Sequence, residues 1–412
     1  MLSGKHIVVG ISGGIAAYKV PHLIRLLKKS GSQVRVCTTR NALQFVGELT
    51  LRTLSGEPVY SDVFAADNNH STEHISLHDW ADLMIVAPAT ANIIGKMANG
   101  IADDALSTIL LAMNKPVIVA PSMNTNMFTH PAVVHNINTI SSWDNVTVMG
   151  SPEGFLACGD TGAGRMAEPE DICEAADYVL EPKTLKGKRI LITAGPTKEA
   201  IDPVRFISNH SSGKMAYSIA AACAKRGAEV TIVSGEVAEE VRKTAAGGHC
   251  RIVDVVTAEQ MYDATVAAFE NTDIAILCAA VADYRPQQTA EKKIKRDGNE
   301  VTLKLTPNND IAAQLGKLKK DGQLLVGFAL ETDNEERNAL DKLRRKGLNA
   351  IVLNSLNDKG AGFGCDTNKV TVYFADGNRK ELPLKTKSAL AYDIIDCVMQ
   401  CGDASTAAQA KA

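Results

Sequence analysis

Short apolar runs rich in β-branched residues alternate with amphipathic stretches along the first half of the chain. After the first run, residues 19–29 place Val20, Leu23 and Leu27 at the spacing of one helix face. This alternation predicts βαβ units and a mostly parallel sheet with helices on both faces. The predicted strands are 7–9, 34–37, 83–87, 117–120 and 146–149.

The pattern stops at residues 182–187, a polar segment with Pro and Gly that we interpret as a linker. It then restarts with a predicted strand that enters a glycine turn at Gly195. We therefore predict an α/β fold with two Rossmann-like domains, residues 1–181 and 188–401, and a disordered tail at 402–412. Further predicted elements of the second domain are strands 229–233, 274–278, 324–328 and 350–353 and helices 216–226 and 335–346.

Composition narrows the possible functions. The 412 residues fit two or three domains, and 44 Lys and Arg against 47 Asp and Glu leave a formal net charge of −3. This balance, with 5% aromatic residues, argues against a nucleic-acid partner. Nine cysteines without a CxxC pair argue against a zinc ribbon or a disulfide scaffold and favour reduced thiols in the cytoplasm. No segment reaches the ~20 apolar residues of a membrane span.

A glycine-rich turn at residues 10–19 follows the first predicted strand and opens the first helix. Its glycines permit close approach of a ligand, and free amides at a helix start attract phosphate. The turn lacks the GxGxxG pattern of NAD-binding domains, and the second strand ends without an acidic residue. Hydroxyls at Ser12, Thr38 and Thr90 follow three strands and suit a mononucleotide phosphate or a ribityl chain. A tight turn without a ligand is the alternative.

Three polar residues of this half are candidates for chemistry: His74, Asn124 and Cys158. Taken singly, each has a plain structural explanation, as a surface histidine, a turn asparagine or a buried cysteine. Cys158, however, lies in a run with several glycines, which favours a loop over a core position. We interpret Arg165, in the same run, as an anchor of that loop.

Together these motifs resemble the flavin-dependent cysteine decarboxylases, in the order in which that family carries them. The resemblance is to the phosphopantothenoylcysteine decarboxylases in particular, and it implies a flavodoxin-like domain that binds FMN. One difference is Phe128, where many relatives carry Trp beside the site. The motifs are residues 13–19, His74, 88–92, 121–124 with Met127, and 157–159 with Gly162, Gly164 and Arg165.

This resemblance also implies catalytic roles and cofactor contacts. FMN would oxidise the thiol-bearing carbon of the substrate, so that CO₂ can leave before reduced flavin returns a hydride. His74 would assist the oxidation, Asn124 would hold the substrate carboxylate, and Cys158 would donate the final proton. FMN contacts are implied for Ser12, Gly14, Thr38, Ala89, Thr90, Asn92 and Ser107.

The second half carries other polar groups at its predicted strand ends. Residues 211–214 (Ser-Ser-Gly-Lys) lack the spacing of a Walker A loop but form an anion nest at a helix start. Asp283 follows a strand and precedes a basic cluster at 291–295, an arrangement expected for Mg²⁺ and triphosphate. Lys342 and Lys346 share one helix face, where they could clamp phosphates or simply be solvated.

From about Lys188 to Asp396 the chain resembles the CTP-dependent phosphopantothenate–cysteine ligases. The resemblance implies that Lys293 promotes formation of an acyl-cytidylate and that Asn209 is needed for its onward reaction, with Mg²⁺ at Asp283. Two local differences from that family are Asn309 in place of a usual Pro and the lack of a Pro before Glu291. Neither removes a charged group. CTP contacts are implied for Cys278, Ala279, Asp283, Lys293, Asn308, Asn309, Asp310, Ile311, Phe328, Lys342 and Lys346.

The two resemblances imply one chain that performs two consecutive steps of coenzyme A biosynthesis. The second domain would join 4′-phosphopantothenate to cysteine with CTP, and the first would decarboxylate the product to 4′-phosphopantetheine. The families also imply a homo-oligomer, with a trimer-based flavin domain and a dimeric ligase domain. A non-catalytic flavoprotein that binds partners is an alternative that His74, Cys158 and the ligase half disfavour. An NAD-dependent oxidoreductase is a second alternative, which the absence of a GxGxxG motif disfavours.

Overall fold

A computed structural model of the chain describes residues 2–62, 73–151, 154–155, 161–245, 250–296, 300–331, 333–355 and 365–409. The chain divides into two compact units, Met1–Glu181 and Pro182–Ala412. Within the described ranges, no helix is both long enough and apolar enough to span a membrane.

The first unit holds a sheet and a short hairpin. Their strands are β1 His6–Ile11, β2 Gln33–Thr38, β3 Val59–Tyr60, β4 Leu83–Ala89, β5 Val117–Pro121, β6 Val146–Val148, β7 Gly154–Phe155 and β8 Thr161–Gly162. The sheet is parallel, in the order β3-β2-β1-β4-β5-β6. Chain order therefore reverses between β1 and β4, and open α/β sheets bind ligands at such a switch point. Every residue of β4 is buried, as expected of a strand covered on both faces.

Helices cover this sheet. Val20, Leu23, Ile24 and Leu27 form the buried face of the first helix, so the predicted helical spacing is confirmed. A 3₁₀ turn at Ile15–Lys19 leads into that helix from the glycine turn. The helices are α1 Val20–Lys29, α2 Glu48–Ser55, α3 Glu73–Trp80, α4 Ala91–Ala98, α5 Ala105–Ala112, α6 Thr125–Phe128, α7 Pro131–Ser141 and α8 Pro169–Leu180.

The second unit repeats the architecture with a larger sheet. Its strands are β9 Arg189–Ala194, β10 Lys198–Ala200, β11 Phe206–Ser208, β12 Glu229–Ser234, β13 Cys250–Asp254, β14 Ile274–Leu277, β15 Tyr284–Pro286, β16 Leu305–Pro307, β17 Leu324–Glu331, β18 Ala350–Ser355, β19 Thr367–Phe374 and β20 Arg379–Thr386. The main sheet has the order β13-β12-β9-β14-β17-β18-β19-β20, and its last two pairings are antiparallel. Strands β10 and β11, and β15 and β16, form small antiparallel pairs.

A switch point lies between β9 and β14, as between β1 and β4 in the first unit. The predicted α/β class with two Rossmann-like, mostly parallel sheets is confirmed. The helices of this unit are α9 Lys214–Lys225, α10 Glu239–Lys243, α11 Ala258–Phe269, α12 Ile311–Leu318, α13 Glu335–Arg345 and α14 Lys387–Gln409.

Two segments differ from their sequence expectations. The linker interpreted at 182–187 is part of the second unit, because Leu185 is fully buried in its core and its N–H donates to the Arg226 carbonyl at 2.9 Å. The tail expected to be disordered from residue 402 continues α14 as far as Gln409. Alanine is the strongest helix former, and several alanines in this stretch explain why a small, polar composition misled the prediction.

Candidate active sites

A cavity of about 1070 Å³ opens in the first unit at the carboxyl ends of β1 and β4. Its volume is slightly above the roughly 300–1,000 Å³ typical of small-molecule sites. The walls come from the glycine turn after β1, the loop after β4, the loop after β5 and the segment 164–166. The predicted FMN contacts among the lining residues are Ser12, Gly14, Thr90 and Asn92.

The Ser12 side chain joins the two strand ends that form this cavity. Its Oγ donates to the Pro88 carbonyl at 2.6 Å and accepts from the Thr90 N–H at 3.0 Å. The turn beyond it is narrow, because a Cβ on Gly14 would lie 3.3 Å from Thr90 Cγ2. Because Gly14 has no side chain to fill this space, a ligand can approach the backbone closely, as the glycine-rich sequence of the turn predicts.

The other predicted FMN contacts, Thr38, Ala89 and Ser107, do not line the cavity. Ala89 is buried at the end of β4. Ser107 forms a capping box with Asp104 at the start of α5, in which its N–H donates to Asp104 Oδ1 at 2.8 Å. Thr38 is fully buried, and its Oγ1 has no hydrogen-bond partner among the described residues.

An ion cluster on the cavity wall was not predicted. Lys96 Nζ lies 2.5 Å from Asp103 Oδ1 and 2.6 Å from Asp104 Oδ2. Burial works to lower the pKa of Lys96, but the two carboxylates outweigh it and raise that pKa. The Asp-x-x-Ser spacing of the capping box is the sequence signal that could have located the start of α5.

The predicted catalytic residue Asn124 lines the same cavity and caps α6, where its Oδ1 accepts from the Asn126 N–H at 2.8 Å. The segment carrying Arg165 packs beside it, since the Met123 N–H donates to the Gly164 carbonyl at 2.9 Å. Arg165 Nη2 lies 3.3 Å from Glu168 Oε1.

His74 lies on α3, and its side chain falls outside the described part of the structure. Cys158 also lies outside the described residues. Their catalytic roles therefore stay predictions.

The carboxyl ends of β9 and β14 are held together in the second unit. Thr193 Oγ1 accepts from the Ala279 N–H at 3.2 Å. The predicted catalytic residue Asn209 reaches the same loop, because its Nδ2 donates to the Ala280 carbonyl at 3.0 Å. Asn209 and the predicted CTP contact Ala279 thus meet at the switch point of the sheet.

Lysines and carboxylates converge at this sheet edge. Lys346 Nζ lies 2.8 Å from Asp310 Oδ2. Burial and the neighbouring Lys346 ammonium lower the pKa of Lys342, against the opposing effect of the Glu331, Asp283 and Asp310 carboxylates. Lys342 and Lys346 are both partly buried, and their role as a phosphate clamp stays a prediction.

Two other predicted CTP contacts, Phe328 and Asn308, form hydrogen bonds with neighbouring residues, Phe328 through its backbone carbonyl and Asn308 through its side chain. Lys342 Nζ donates to the Phe328 carbonyl at 3.3 Å. The Asn308 amide donates to the Ala282 carbonyl at 2.8 Å and accepts from Arg285 at 2.7 Å, so this side chain fixes the loop after β14.

Three further predicted contacts differ in exposure. Ile311 is buried and Asn309 is exposed. Cys278 is partly buried, and burial raises the pKa of its thiol to about 12, which leaves it protonated at neutral pH.

Lys293 is exposed on the segment that precedes Ile294. The described residues contain no group of three or more His, Cys, Asp or Glu side chains placed to hold a metal ion. Mg²⁺ at Asp283 therefore stays a prediction.

Two protein-family models match the chain. The model described as Flavoprotein matches residues 1–180. The model described as DNA/pantothenate metabolism flavoprotein C-terminal domain matches residues 185–401. The two matches divide the chain at nearly the same place as its two compact units.

Relatives of known name match most of the chain. The coenzyme A biosynthesis bifunctional protein CoaBC of Bacillus subtilis is 45% identical over 398 residues, which are 96% of this chain and 97% of that protein. The protein of the same name from Haemophilus influenzae is 44% identical over 400 residues, 97% of this chain and 98% of that protein. A cysteine/cysteine sulfinic acid decarboxylase from an unknown prokaryotic organism is 50% identical over 353 residues, 84% of this chain and 97% of that protein.

These matches confirm both resemblances that the motifs implied. The chain belongs to the family of bifunctional coenzyme A biosynthesis proteins CoaBC, with a flavoprotein decarboxylase domain followed by a ligase domain.

Proposed function

We propose that the cavity of the first unit binds FMN and carries out the decarboxylation of 4′-phosphopantothenoylcysteine. The observation that carries this proposal is the cavity at the switch point, where the glycine turn and the start of α4 present backbone amides. The residues present fit a flavin mononucleotide, because Gly14 and Thr90 leave a cradle that a Cβ would fill.

In this proposal FMN supplies a two-electron acceptor for the thiol-bearing carbon and returns the electrons after CO₂ has left. Asn124 binds the substrate carboxylate through its amide, from the cavity wall. His74 takes up the proton that leaves the substrate during oxidation. Cys158 donates a proton to the enethiolate as it becomes the saturated thiol 4′-phosphopantetheine.

We propose that the second unit is the CTP-dependent ligase. A carboxylate is a poor electrophile, so the 4′-phosphopantothenate carboxylate first attacks the α-phosphorus of CTP and releases pyrophosphate. The cysteine amine then attacks the acyl-cytidylate carbonyl, and CMP leaves. The observation that carries the CTP site is the ion pair of Lys346 with Asp310 and the hydrogen bond of Lys342 to the Phe328 carbonyl, which bring both lysines to residues predicted to bind CTP.

The remaining roles in the ligase follow from charge. Lys293 offsets negative charge around the transferring nucleotide. Asp283 would hold Mg²⁺, which would supply charge stabilisation for the departing pyrophosphate. Asn209 has no charge of its own and orients the acyl-cytidylate for attack by the amine.

The proposal also covers the domain boundaries, the oligomeric state and the cellular compartment. Residues 1–181 form the decarboxylase domain, and the ligase domain begins at residue 182, because Leu185 lies in the core of the second unit. A trimer-based flavin domain and a dimeric ligase domain belong to the proposal because the family resemblance implies them. Free cysteines among the described residues fit the cytoplasm.

A second candidate function for the first unit is decarboxylation of free cysteine. The identity of 50% to a relative named cysteine/cysteine sulfinic acid decarboxylase favours it. The two candidates differ in their need for the ligase, because free cysteine would lose CO₂ without CTP.

The ligase proposal is tested by quenching Lys293→Gln and Asn209→Asp variants during turnover with CTP, Mg²⁺ and 4′-phosphopantothenate. Lys293→Gln loses charge stabilisation in the first step, so we expect pyrophosphate release to fall about 100-fold or more. Asn209→Asp places a negative charge beside the phosphates after activation, so we expect the acyl-cytidylate to form and persist. Accumulation of the intermediate by Lys293→Gln, or none with Asn209→Asp, would refute the roles proposed.

A further inference from the structure

The segment that carries Lys293 docks on the turn between β10 and β11. The Ala290 N–H donates to the Ile201 carbonyl at 3.0 Å, and the Thr289 hydroxyl donates to the Ala200 carbonyl at 3.1 Å. From 291 to 296 every residue except Ile294 is exposed, so little side-chain burial holds this part of the segment. Polar contacts at Ile294 must therefore contribute most of what holds residues 291–296 in place.

Asp202 makes the first of these contacts from a buried position. Its side chain is 0% exposed, and its Oδ1 accepts from the N–H groups of Val204 and Arg205, both at 2.8 Å. Its Oδ2 accepts from the Ile294 N–H at 3.2 Å and from Arg205 Nε at 2.9 Å. One oxygen therefore shapes the turn, and the other faces the Lys293 segment.

Arg205 completes the contact from the same turn. Its Nη2 donates both to Asp202 Oδ2 and to the Ile294 carbonyl, the latter at 2.8 Å. Asp202 and Arg205 thus hold the N–H and the carbonyl of Ile294, the residue directly after Lys293. The ion pair fixes the guanidinium plane, and charged hydrogen bonds of this kind are stronger than neutral ones.

We propose that Asp202 is a positioning residue of the ligase, which locks the backbone at Ile294 through Arg205 so that the Lys293 ammonium is held where the nucleotide is transferred. This inference rests on the proposed role of Lys293. A purely structural role would need only the Oδ1 contacts within the turn. Oδ2 and the guanidinium also pair with each other within the turn, but their contacts with the Ile294 N–H and carbonyl are directed at the segment.

The first test measures the segment itself, without reference to activity. Lys292, Lys293, Lys295 and Arg296 are trypsin sites within it. In the full-length protein, Asp202→Asn keeps an oxygen for the turn but loses the charge that orients Arg205. We expect cleavage at 292–296 to become about tenfold faster, because proteolysis follows the open population. Arg205→Lys keeps the positive charge but cannot reach both the Asp202 carboxylate and the Ile294 carbonyl. It should therefore also make cleavage at 292–296 faster.

Asp273→Asn is the matched control. Asp273 Oδ2 accepts from the Arg189 N–H at 2.7 Å and its Oδ1 lies 3.4 Å from Arg189 Nη2, so it is also an aspartate–arginine pair that holds backbone. It lies at the opposite edge of the sheet, before β14. Its loss should leave cleavage at 292–296 unchanged. Equal cleavage rates in Asp202→Asn and Asp273→Asn would overturn the proposal.

The second test is kinetic and uses a double mutant. Asp202→Asn should slow pyrophosphate release about 10- to 100-fold, since misplacing a catalytic group by about 1 Å has effects of this size. In a Lys293→Gln background it should cause no further loss, and it should not accumulate acyl-cytidylate as Asn209→Asp does. A further loss on top of Lys293→Gln would show that Asp202 acts elsewhere. Full activity of Lys293→Gln alone would instead refute the proposed function.

Discussion

At the scale of single residues, Ser12 shows how one hydroxyl organises the flavin cavity. It is 2% exposed and links the Pro88 carbonyl to the Thr90 N–H, across the two strand ends that form the wall. Its removal takes one partner from the Pro88 carbonyl, which keeps the residue-12 N–H at 3.3 Å, and one from the partly buried Thr90 N–H. Such groups cost about 1–3 kcal/mol each when unsatisfied.

We therefore predict that Ser12→Ala lowers the free energy of unfolding of the first unit by about 1–3 kcal/mol and weakens flavin retention. Urea denaturation and the flavin absorbance of the purified protein measure the two effects. Ser32→Ala is the matched control, because Ser32 is buried and donates to the Leu2 carbonyl at 2.9 Å without lining the cavity. Equal flavin retention in the two variants would contradict the role given to Ser12.

The ionisation of Asp202 leads to a prediction about how the stability of the second unit depends on pH. Arg205 holds the pKa of this carboxyl well below its usual range, aided by the N–H groups of Val204, Arg205 and Ile294 and opposed by burial. Because the folded-state pKa is depressed, the stabilisation is complete above the unfolded-state pKa of about 4 and is lost as pH falls through the folded-state pKa.

We predict that the melting temperature of the second unit falls from about pH 5 to pH 2 and that Asp202→Asn flattens this dependence. Calorimetry of the native protein and of Asp202→Asn across that range provides the measurement. An unchanged slope in Asp202→Asn would show that the carboxylate does not contribute in this way.

Side-chain roles were the least predictable feature of the sites. Asn124 and Thr90 both line the cavity, because short motifs after predicted strands meet at one sheet edge. Their contacts with substrate and FMN stay predictions. The sequence predicts Ser107 at the flavin; in the structure it caps α5 through a local capping box and does not line the cavity, so that contact stays a prediction. The contact between Asp202 and Ile294 joins residues 92 positions apart, and no local pattern reports such a pairing.

At the scale of elements, the packing of α12 against the end of α13 fixes the position of Lys346. A Cβ on Gly316 would overlap the Lys346 carbonyl oxygen. Alanine in place of glycine inside a helix contributes about 1 kcal/mol of propensity. Overpacking against rigid backbone costs about 1–3 kcal/mol, so the unfavourable effect should win.

We predict that Gly316→Ala destabilises the second unit by about 1–2 kcal/mol and raises the KM for CTP, because the end of α13 must move. Denaturation and initial-rate kinetics measure both. Gly150→Ala is the control, since a Cβ there meets no atom within 4 Å and should change stability by less than about 0.5 kcal/mol. Unchanged stability and KM in Gly316→Ala would contradict this packing argument.

Strands were predictable where both of their faces are buried. The runs at β4 and β5 are continuously apolar, and the predicted segments lie within these strands. Strand β20 was missed because it is mostly exposed and charged at the edge of the sheet. Strand β19 does alternate, with Asn368, Val370 and Val372 buried, so a period-two pattern was present in the sequence.

At the scale of the whole molecule, each unit has a core of its own. Clusters around Ile85 and Met84 serve the first unit, and clusters around Ile192 and Leu325 serve the second. The boundary falls between Glu181 and Pro182, where the first unit ends with α8. Two such cores are expected to fold separately.

We predict that fragments 1–181 and 182–412, expressed separately, each retain one half of the chemistry. The first should purify as a yellow protein that releases FMN, and the second should release pyrophosphate from CTP with 4′-phosphopantothenate. Absorbance spectra and a pyrophosphate assay test this. A cut placed at 187/188 is the comparison, and we expect it to destabilise the second unit because Leu185 leaves its core. Equal stability of 182–412 and 188–412 would contradict that boundary.

The central claim is that the two units act in sequence on one substrate. The most direct measurement follows CO₂ released from carboxyl-labelled cysteine by the full-length protein. The account predicts labelled CO₂ only when 4′-phosphopantothenate, CTP and Mg²⁺ are all present, together with 4′-phosphopantetheine in the products. Labelled CO₂ from cysteine without CTP, or none with the complete mixture, would contradict it.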